Sequence, residues 1–176
     1  NGSGMHVHMS LSNKDNNAFY DPDGKWGLSE MAMNYMGGLL THAPANCAIL
    51  ASHVNSYKRL VPGFEAPCYI SWANMNRSAL LRVPAGRGMR TRVEQRNPDP
   101  AGNPYLQFAV MLAAGLDGIK NKLSPGDPVE KDIYHMSPDE RRKNKIVDLP
   151  MNLGDALNVM AESKVMKEAL GEHIFN

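Results

Sequence analysis

The segment NGSGMHVHMSL, Asn1–Leu11, carries the most specific pattern in the chain. Side chains alternate between the two faces of a β-strand, so His6, His8 and Ser10 would share one face here. The residues between them are apolar and would point into a core, and the preceding glycines would let a ligand approach the backbone closely. The pattern predicts a polar strand face that looks into a cleft. An edge strand with two solvated histidines is the simpler alternative.

A second predicted strand, TRVEQR at 91–96, places Arg92, Glu94 and Arg96 on one face. Such a triplet can be a solvated ion-pair ladder, in which each pair contributes ~0.2–1 kcal/mol. It can also be a functional face, where the carboxylate holds a metal ion and the guanidinium groups bind anions. More arginines lie nearby in the sequence: Arg77, Arg82, Arg87 and Arg90. This concentration favours a substrate with several negative charges, such as a nucleoside triphosphate together with a carboxylic acid.

The segment NSYKRLVPGFEAP, at 55–67, has two prolines, a glycine and no periodicity, which indicates a loop. It carries one cation that we single out, Arg59, and one anion, Glu65. An ordinary connection is the alternative, but apolar side chains would anchor this loop against the body of the domain: Tyr57, Leu60, Val61 and Phe64. An anchored loop that presents charged groups is typical of an active-site flap.

Four segments together resemble a known family: NGSGMHVHMSL, NSYKRLVPGFEAP, NRSALLRVP and RVEQRNPDPAGNPY. In this order they are similar to the catalytic domain of type I glutamine synthetases, and the resemblance covers essentially all 176 residues. The loop PAGRGMR looks like the Gram-positive and archaeal branch. The resemblance implies an α+β fold, an antiparallel sheet with flanking helices. It also implies that residues 1–176 are a partial catalytic domain, without the N-terminal domain, the upstream catalytic strands and the C-terminal end.

The resemblance implies a role for each motif residue. His6 and Glu94 resemble ligands of a divalent metal ion, Mg²⁺ or Mn²⁺. The residues that resemble nucleotide-binding positions are His8, Ser10, Arg77, Arg82 and Arg92. Those that resemble glutamate-binding positions are Asn1, Gly2, Arg59, Glu65 and Arg96. Catalytic roles are implied for Glu65, Arg59 and Arg77, with Glu65 taking a proton from ammonium.

The implied reaction joins ammonia to the γ-carboxylate of L-glutamate at the expense of ATP, through γ-glutamyl phosphate. Two alternatives stay open: a γ-glutamyl-amine ligase of the same fold, and a catalytically inactive homologue. Two positions depart from other members. Met89 stands where some carry a lysine, and Tyr134 stands where some carry a modified tyrosine. The context DIYHMSPDE differs from that of the modified branch, so we interpret Tyr134 as structural.

The composition suits a piece of a cytoplasmic enzyme. Nineteen basic and 18 acidic side chains give a net charge of +1, which implies no general attraction to nucleic acid or membranes. The two cysteines have no paired spacing and indicate a reducing compartment. No apolar run approaches the ~20 residues of a membrane span. The resemblance further implies a homo-oligomer, a dodecamer in the family, with active sites between subunits, and it predicts that this chain alone is inactive.

The local patterns predict several further elements. Ser29 is a candidate N-cap for a helix through Thr41, and Pro44 opens a second helix. CYISW and ALLRV are predicted strands. Asn103 and Pro104 begin a helix to about Lys122 whose apolar residues lie nearly all round, which predicts burial. The Pro-rich, charged segment beyond Lys122 is expected to wrap the surface without a chemical role, before two short helices.

Overall fold

The computed structural model describes residues 3–176, so the predictions for Asn1 and Gly2 lie outside the described residues. Its strands are β1 (Val7–Met9), β2 (Ser12–Asn13), β3 (Asn16–Asn17), β4 (Tyr69–Ile70), β5 (Trp72–Ala73), β6 (Leu81–Arg82), β7 (Val93–Gln95) and β8 (Val147–Asp148). Its α-helices are α1 (Glu30–Thr41), α2 (Ala43–Leu50), α3 (Pro104–Asn121), α4 (Pro138–Lys143), α5 (Leu153–Ala161) and α6 (Lys164–Phe175).

The main sheet has the strand order β1-β7-β6-β5. The β1–β7 and β7–β6 pairs are antiparallel, as predicted, but β5 and β6 run parallel. Residue alternation specifies which face a side chain occupies and carries no information on strand direction, so the sequence could not reveal this pair. The expected α+β class is confirmed, with a mixed sheet in place of a wholly antiparallel one.

The predicted helix starts are confirmed. The Ser29 hydroxyl accepts a hydrogen bond from the Ala32 amide at the start of α1, and the Asn103 side chain accepts from the first amides of α3. Helices α1 and α3 pack closely because glycines face each other: a Cβ on Gly38 would lie 2.1 Å from the Ala114 carbonyl oxygen. This contact places α3 against the buried side of α1.

The predicted burial of α3 on all sides is wrong. One side of the helix packs into the core, but Phe108, Leu112 and Leu116 are 49%, 46% and 47% exposed. These residues follow one another at helical spacing, so they form a continuous apolar stripe with Tyr105. Within residues 3–176 nothing covers this stripe, because the core that α3 meets lies on its opposite face.

The segment after Lys122 contributes more structure than predicted. Ile133, Met136 and Ile146 are buried with Cys68 and Tyr69 in a second hydrophobic cluster, and β8 pairs with β4. Both cysteines are buried, and burial raises the pKa of Cys68 to about 11, as expected for small apolar residues without a chemical role. No helix of the described chain is both long enough and apolar enough to span a membrane.

Candidate active site

The two predicted polar strand faces meet in the main sheet. β1 and β7 pair antiparallel, with His8 directly opposite Glu94. His6, His8 and Ser10 are exposed on the same side of β1, as their alternation predicted. The His6 Nδ1 atom lies 3.0 Å from Glu94 Oε1, and His8 Nε2 lies 4.0 Å from the same oxygen. An imidazole and a carboxylate from distant parts of the sequence therefore converge on one face.

Glu94 is only 3% exposed and is surrounded by positive charge. Arg82 Nε, on the neighbouring strand β6, lies 2.6 Å from Glu94 Oε2, although not in the geometry of a linear hydrogen bond. Arg96 Nε lies 4.0 Å from Oε1. A carboxylate at this depth requires such partners because an isolated buried charge is strongly unfavourable. Glu94 thus belongs to a buried charge cluster and not to a solvated ion-pair ladder on the surface.

The other predicted arginines divide into two groups. Arg92 Nε donates a hydrogen bond to His8 Nδ1 over 3.0 Å, so it orients the second imidazole of the cleft. Arg77 is exposed beside the cleft. Arg87, in contrast, donates to the backbone carbonyl oxygens of Trp26 and Pro84, and its guanidinium group supports a loop.

The electrostatic setting of His6 favours its neutral form. Partial burial lowers its pKa below the ordinary value of 6.5, and the Arg96 charge lowers it further, against the opposing effect of Glu94. A neutral imidazole keeps a lone pair available, which is the form that binds a metal ion.

The predicted flap begins with a 3₁₀ turn at Val54–Lys58 and ends at the buried residue Pro67. Tyr57 and Leu60 are buried and anchor it, as predicted. Phe64 is not an anchor, because its side chain is 58% exposed at the tip. Glu65 is also exposed, and its φ of +63° lies in the left-handed region that a residue with a side chain rarely adopts.

Arg59 lies beneath this flap. Its two terminal nitrogens donate to the backbone carbonyl oxygens of Arg96, Asn97 and Pro98 over 3.0–3.3 Å. These bonds join the base of the flap to the end of β7. Space for the guanidinium group depends on Gly4, where a Cβ would lie 2.4 Å from an Arg59 nitrogen.

Two cavities meet at the flap. The larger, of about 670 Å³, is lined by Glu65, Arg77 and Arg96 among others. The smaller, of about 230 Å³, is lined by His6, Arg59, Glu65 and Arg96. Glu65 and Arg96 therefore contribute to both, and five of the predicted site residues line one or the other: His6, Arg59, Glu65, Arg77 and Arg96. His8 and Ser10 line a separate, more apolar cavity of about 400 Å³ beside Phe108.

The wall of the larger cavity includes residues that sequence reasoning missed. Asp132, Tyr134 and His135 line it, as does Glu130. The Glu130 carboxylate accepts hydrogen bonds from the backbone amides of Asn74 and Met75, just before Arg77. The segment beyond Lys122 thus reaches this cavity, although the sequence predicted no chemical role for it. It has no periodic or motif signal that could have revealed this contact.

The residues present fit a divalent metal ion only in part. An imidazole with a carboxylate suits Mn²⁺ well and Mg²⁺ less well. However, a dication of this kind needs about six ligands, and residues 3–176 contain no group of three or more His, Cys, Asp or Glu side chains placed to share an ion. His6 and Glu94 can supply one side of a coordination shell.

A cleft with several arginines, one buried carboxylate and an acidic flap is typical of the class of proteins that bind anionic groups, above all phosphates. The comparison with known families is specific. The family described as "Glutamine synthetase, catalytic domain" matches residues 1–176, and this chain belongs to it.

Individual relatives agree with this assignment. The chain is 56% identical over 176 residues to a glutamine synthetase of the archaeon Methanosarcina mazei and 53% identical to one of the Gram-positive Staphylococcus aureus. It spans about 40% of the length of these curated relatives. A solved structure titled "GmaS/ADP complex-Conformation 1" superimposes with a TM-score of 0.85 at 38% identity, covering 97% of this chain and 39% of that one.

Proposed function

We propose that this chain forms part of an enzyme, a glutamine synthetase, that ligates ammonia to the γ-carboxylate of L-glutamate with hydrolysis of ATP. The observation that carries the proposal is the convergence of His6, Glu94 and Arg82 on one sheet face that adjoins the Glu65 flap. Several curated relatives, at 53–56% identity, are named glutamine synthetases. Their names favour this activity over the γ-glutamyl-amine ligase alternative.

The arginine cluster supports phosphoryl transfer. The γ-carboxylate is a poor electrophile, and phosphorylation by ATP would activate it as an acyl phosphate. Such transfer is catalysed mainly by positioning and charge neutralisation. Arg77 and Arg82 would bind phosphate oxygens, with Arg92 and His8 on the nucleotide side. His6 and Glu94 would hold Mg²⁺ or Mn²⁺, which supplies further neutralisation of the phosphates when bound.

The flap supports the second half-reaction. Ammonium must lose a proton before its nitrogen can attack the acyl phosphate, and Glu65 would accept that proton as a general base. Arg59 and Arg96 would hold the glutamate, since both line the smaller cavity with Glu65. A flap that closes over this region would also keep water from the acyl phosphate. The alternative of a catalytically inactive homologue is disfavoured, because the flap and metal carboxylates, Glu65 and Glu94, are both present.

The rest of the site would come from outside the described residues. We propose that residues 1–176 are a partial catalytic domain of a longer cytoplasmic protein, called the complete enzyme below. The remaining metal ligands would lie in the rest of that protein, and neighbouring subunits of a homo-oligomer would close the active site. Asn1 and Gly2 would contribute to glutamate binding.

The test is substitution of the flap carboxylate in the complete enzyme. Glu65→Ala should reduce glutamine formation by about 10²–10⁴-fold, the usual effect of removing a general base. ATP affinity should stay nearly unchanged because Glu65 does not line the cavity that His8 and Ser10 line on the proposed nucleotide side. Glu162→Ala, at an exposed position after α5, is the matched control and should behave like the wild type.

Three outcomes would contradict the proposal. Wild-type enzyme that forms no glutamine from ammonium would refute the activity. Faster product formation with a primary amine or polyamine than with ammonium would favour the γ-glutamyl-amine ligase. Equal loss of ATP affinity and turnover in Glu65→Ala would mean that Glu65 supports the fold and is not the base.

A further inference from the structure

Tyr134 makes the shortest link between the flap and the segment that follows α3. Its hydroxyl donates a hydrogen bond to the Ala66 carbonyl oxygen over 2.6 Å. Ala66 is buried and directly follows Glu65. The phenol is half-buried, and burial raises its pKa to about 12, so it stays protonated and remains a donor throughout the usual assay range.

The position of this bond matters because the flap backbone is strained at the adjoining residue. Glu65 has φ of +63°, and Gly63, two residues earlier, has φ of +87°. Left-handed backbone is unfavourable for a residue with a Cβ and persists only where surrounding contacts fix it. The tip itself, residues 62–65, is exposed and has few such contacts. The Tyr134 hydrogen bond fixes the chain where the exposed tip returns to the buried body.

Tyr134 is itself held firmly. It belongs to a 3₁₀ turn at Ile133–His135, and Ile133 is fully buried. The Ile133 amide donates to Ser78 Oγ over 3.1 Å, and the Asp132 carboxylate accepts from the Tyr134 amide. Ser78 adjoins Arg77, so a single turn joins the flap to the loop that carries an arginine of the cavity.

We propose that Tyr134 is a positioning residue, which acts through the Ala66 carbonyl to hold the Glu65 flap over the cleft. This inference rests on the proposed function. The hydroxyl need not touch the reacting atoms; it would limit how often the flap opens. Its loss should therefore affect amide formation and the protection of the acyl phosphate more than the binding of ATP.

The experiment compares Tyr134→Phe with Tyr69→Phe in the complete enzyme. The two rings pack at 6.2 Å between centroids, and within residues 3–176 the Tyr69 hydroxyl makes no hydrogen bond. Two readouts are measured. The first is the rate at which a glutamate-specific endoprotease cleaves after Glu65, relative to cleavage after Glu162, since such cleavage reports the population of the opened flap. The second is phosphate released per glutamine formed, with the KM for ATP.

For Tyr134→Phe we expect cleavage after Glu65 to rise about two- to tenfold, the factor that corresponds to the loss of one hydrogen bond. Phosphate released per glutamine should also rise, with an unchanged KM for ATP, and Tyr69→Phe should match the wild type in both. Wild-type cleavage in Tyr134→Phe would overturn the inference. Faster cleavage with an unchanged ratio of phosphate to glutamine would overturn it too. If the wild type made no glutamine, the proposed function would fail, whereas the cleavage rate, which needs no activity, would still decide whether Tyr134 holds the flap.

Discussion

Replacing Glu94 by alanine tests the buried charge cluster most directly. Glu94 Oε2 lies 2.6 Å from Arg82 Nε, and Oε1 lies 3.0 Å from His6 Nδ1. Removal of one partner from a buried ion pair destabilises a protein by about 3–5 kcal/mol, because the remaining charge is left without compensation. The Arg82 side chain is partly exposed, so we expect the lower limit, about 3 kcal/mol. That value corresponds to an increase of about 100-fold in the opening of this part of the sheet.

Amide hydrogen exchange of Val93–Gln95 in the complete enzyme measures this opening. Glu94→Gln separates shape from charge. The amide keeps the shape of the side chain and a polar oxygen beside Arg82, and its nitrogen can donate to His6, so we expect a smaller loss, near 1 kcal/mol, and about fivefold faster exchange. Both variants should bind Mn²⁺ at least about tenfold more weakly, because alanine provides no ligand atom and the glutamine amide is a poorer metal ligand than a carboxylate.

Glu162→Ala serves as the control for both measurements, since Glu162 is exposed and makes no ion pair within residues 3–176. Exchange in Glu94→Ala equal to that in Glu162→Ala would refute the reasoning, because the arginines would then not depend on the carboxylate. Unchanged Mn²⁺ affinity in Glu94→Gln would refute the metal assignment alone.

Two further predictions address the helical layer and the completeness of the site. Gly38→Ala should destabilise the complete enzyme by about 1–3 kcal/mol in denaturant unfolding, because the added Cβ would overlap the Ala114 carbonyl oxygen. Gly154→Ala, whose Cβ would lie 3.2 Å from the Asn152 side chain at the exposed start of α5, should change the stability by less than about 1 kcal/mol. Equal midpoints for the two variants would contradict the close packing of α1 on α3. Purified residues 1–176 alone should show no glutamate- and metal-dependent ATP turnover, because the described part of the chain, residues 3–176, supplies too few metal ligands. Measurable turnover in an enzyme-free background would show that the site is complete without further chain.

The local parts of this structure followed from the sequence. Alternation in HVH and RVEQR fixed which side chains share a face, and Ser29 and Asn103 marked the helix starts, because these signals act over a few neighbouring residues. The contact of His6 with Glu94 was expected from the family resemblance and not from spacing. The assignment of individual residues to glutamate, nucleotide and metal stays a prediction.

What the sequence did not reveal depends on long-range contacts. The parallel β5–β6 pair and the Tyr134–Ala66 hydrogen bond join residues that are distant in the sequence. The Phe108 stripe is exposed because no distant segment of the described chain packs on it. The apolar residues around α3 indicate how much surface should be buried, but not which partner buries it. In the same way, an irregular segment such as 124–136 gives no periodic signal, although it lines the larger cavity.

The left-handed backbone at Glu65 has a consequence for protein engineering. Glycine adopts φ near +63° freely, so Glu65→Gly would relieve the strain, by about 1–2 kcal/mol. The same change would remove the only carboxylate between Asn55 and Pro67. Optimisation of thermostability alone would therefore select glycine at this position, whereas selection for the proposed ligase activity, with Glu65 as its base, would keep glutamate. Variant libraries that are screened only for heat resistance should keep glutamate fixed at position 65.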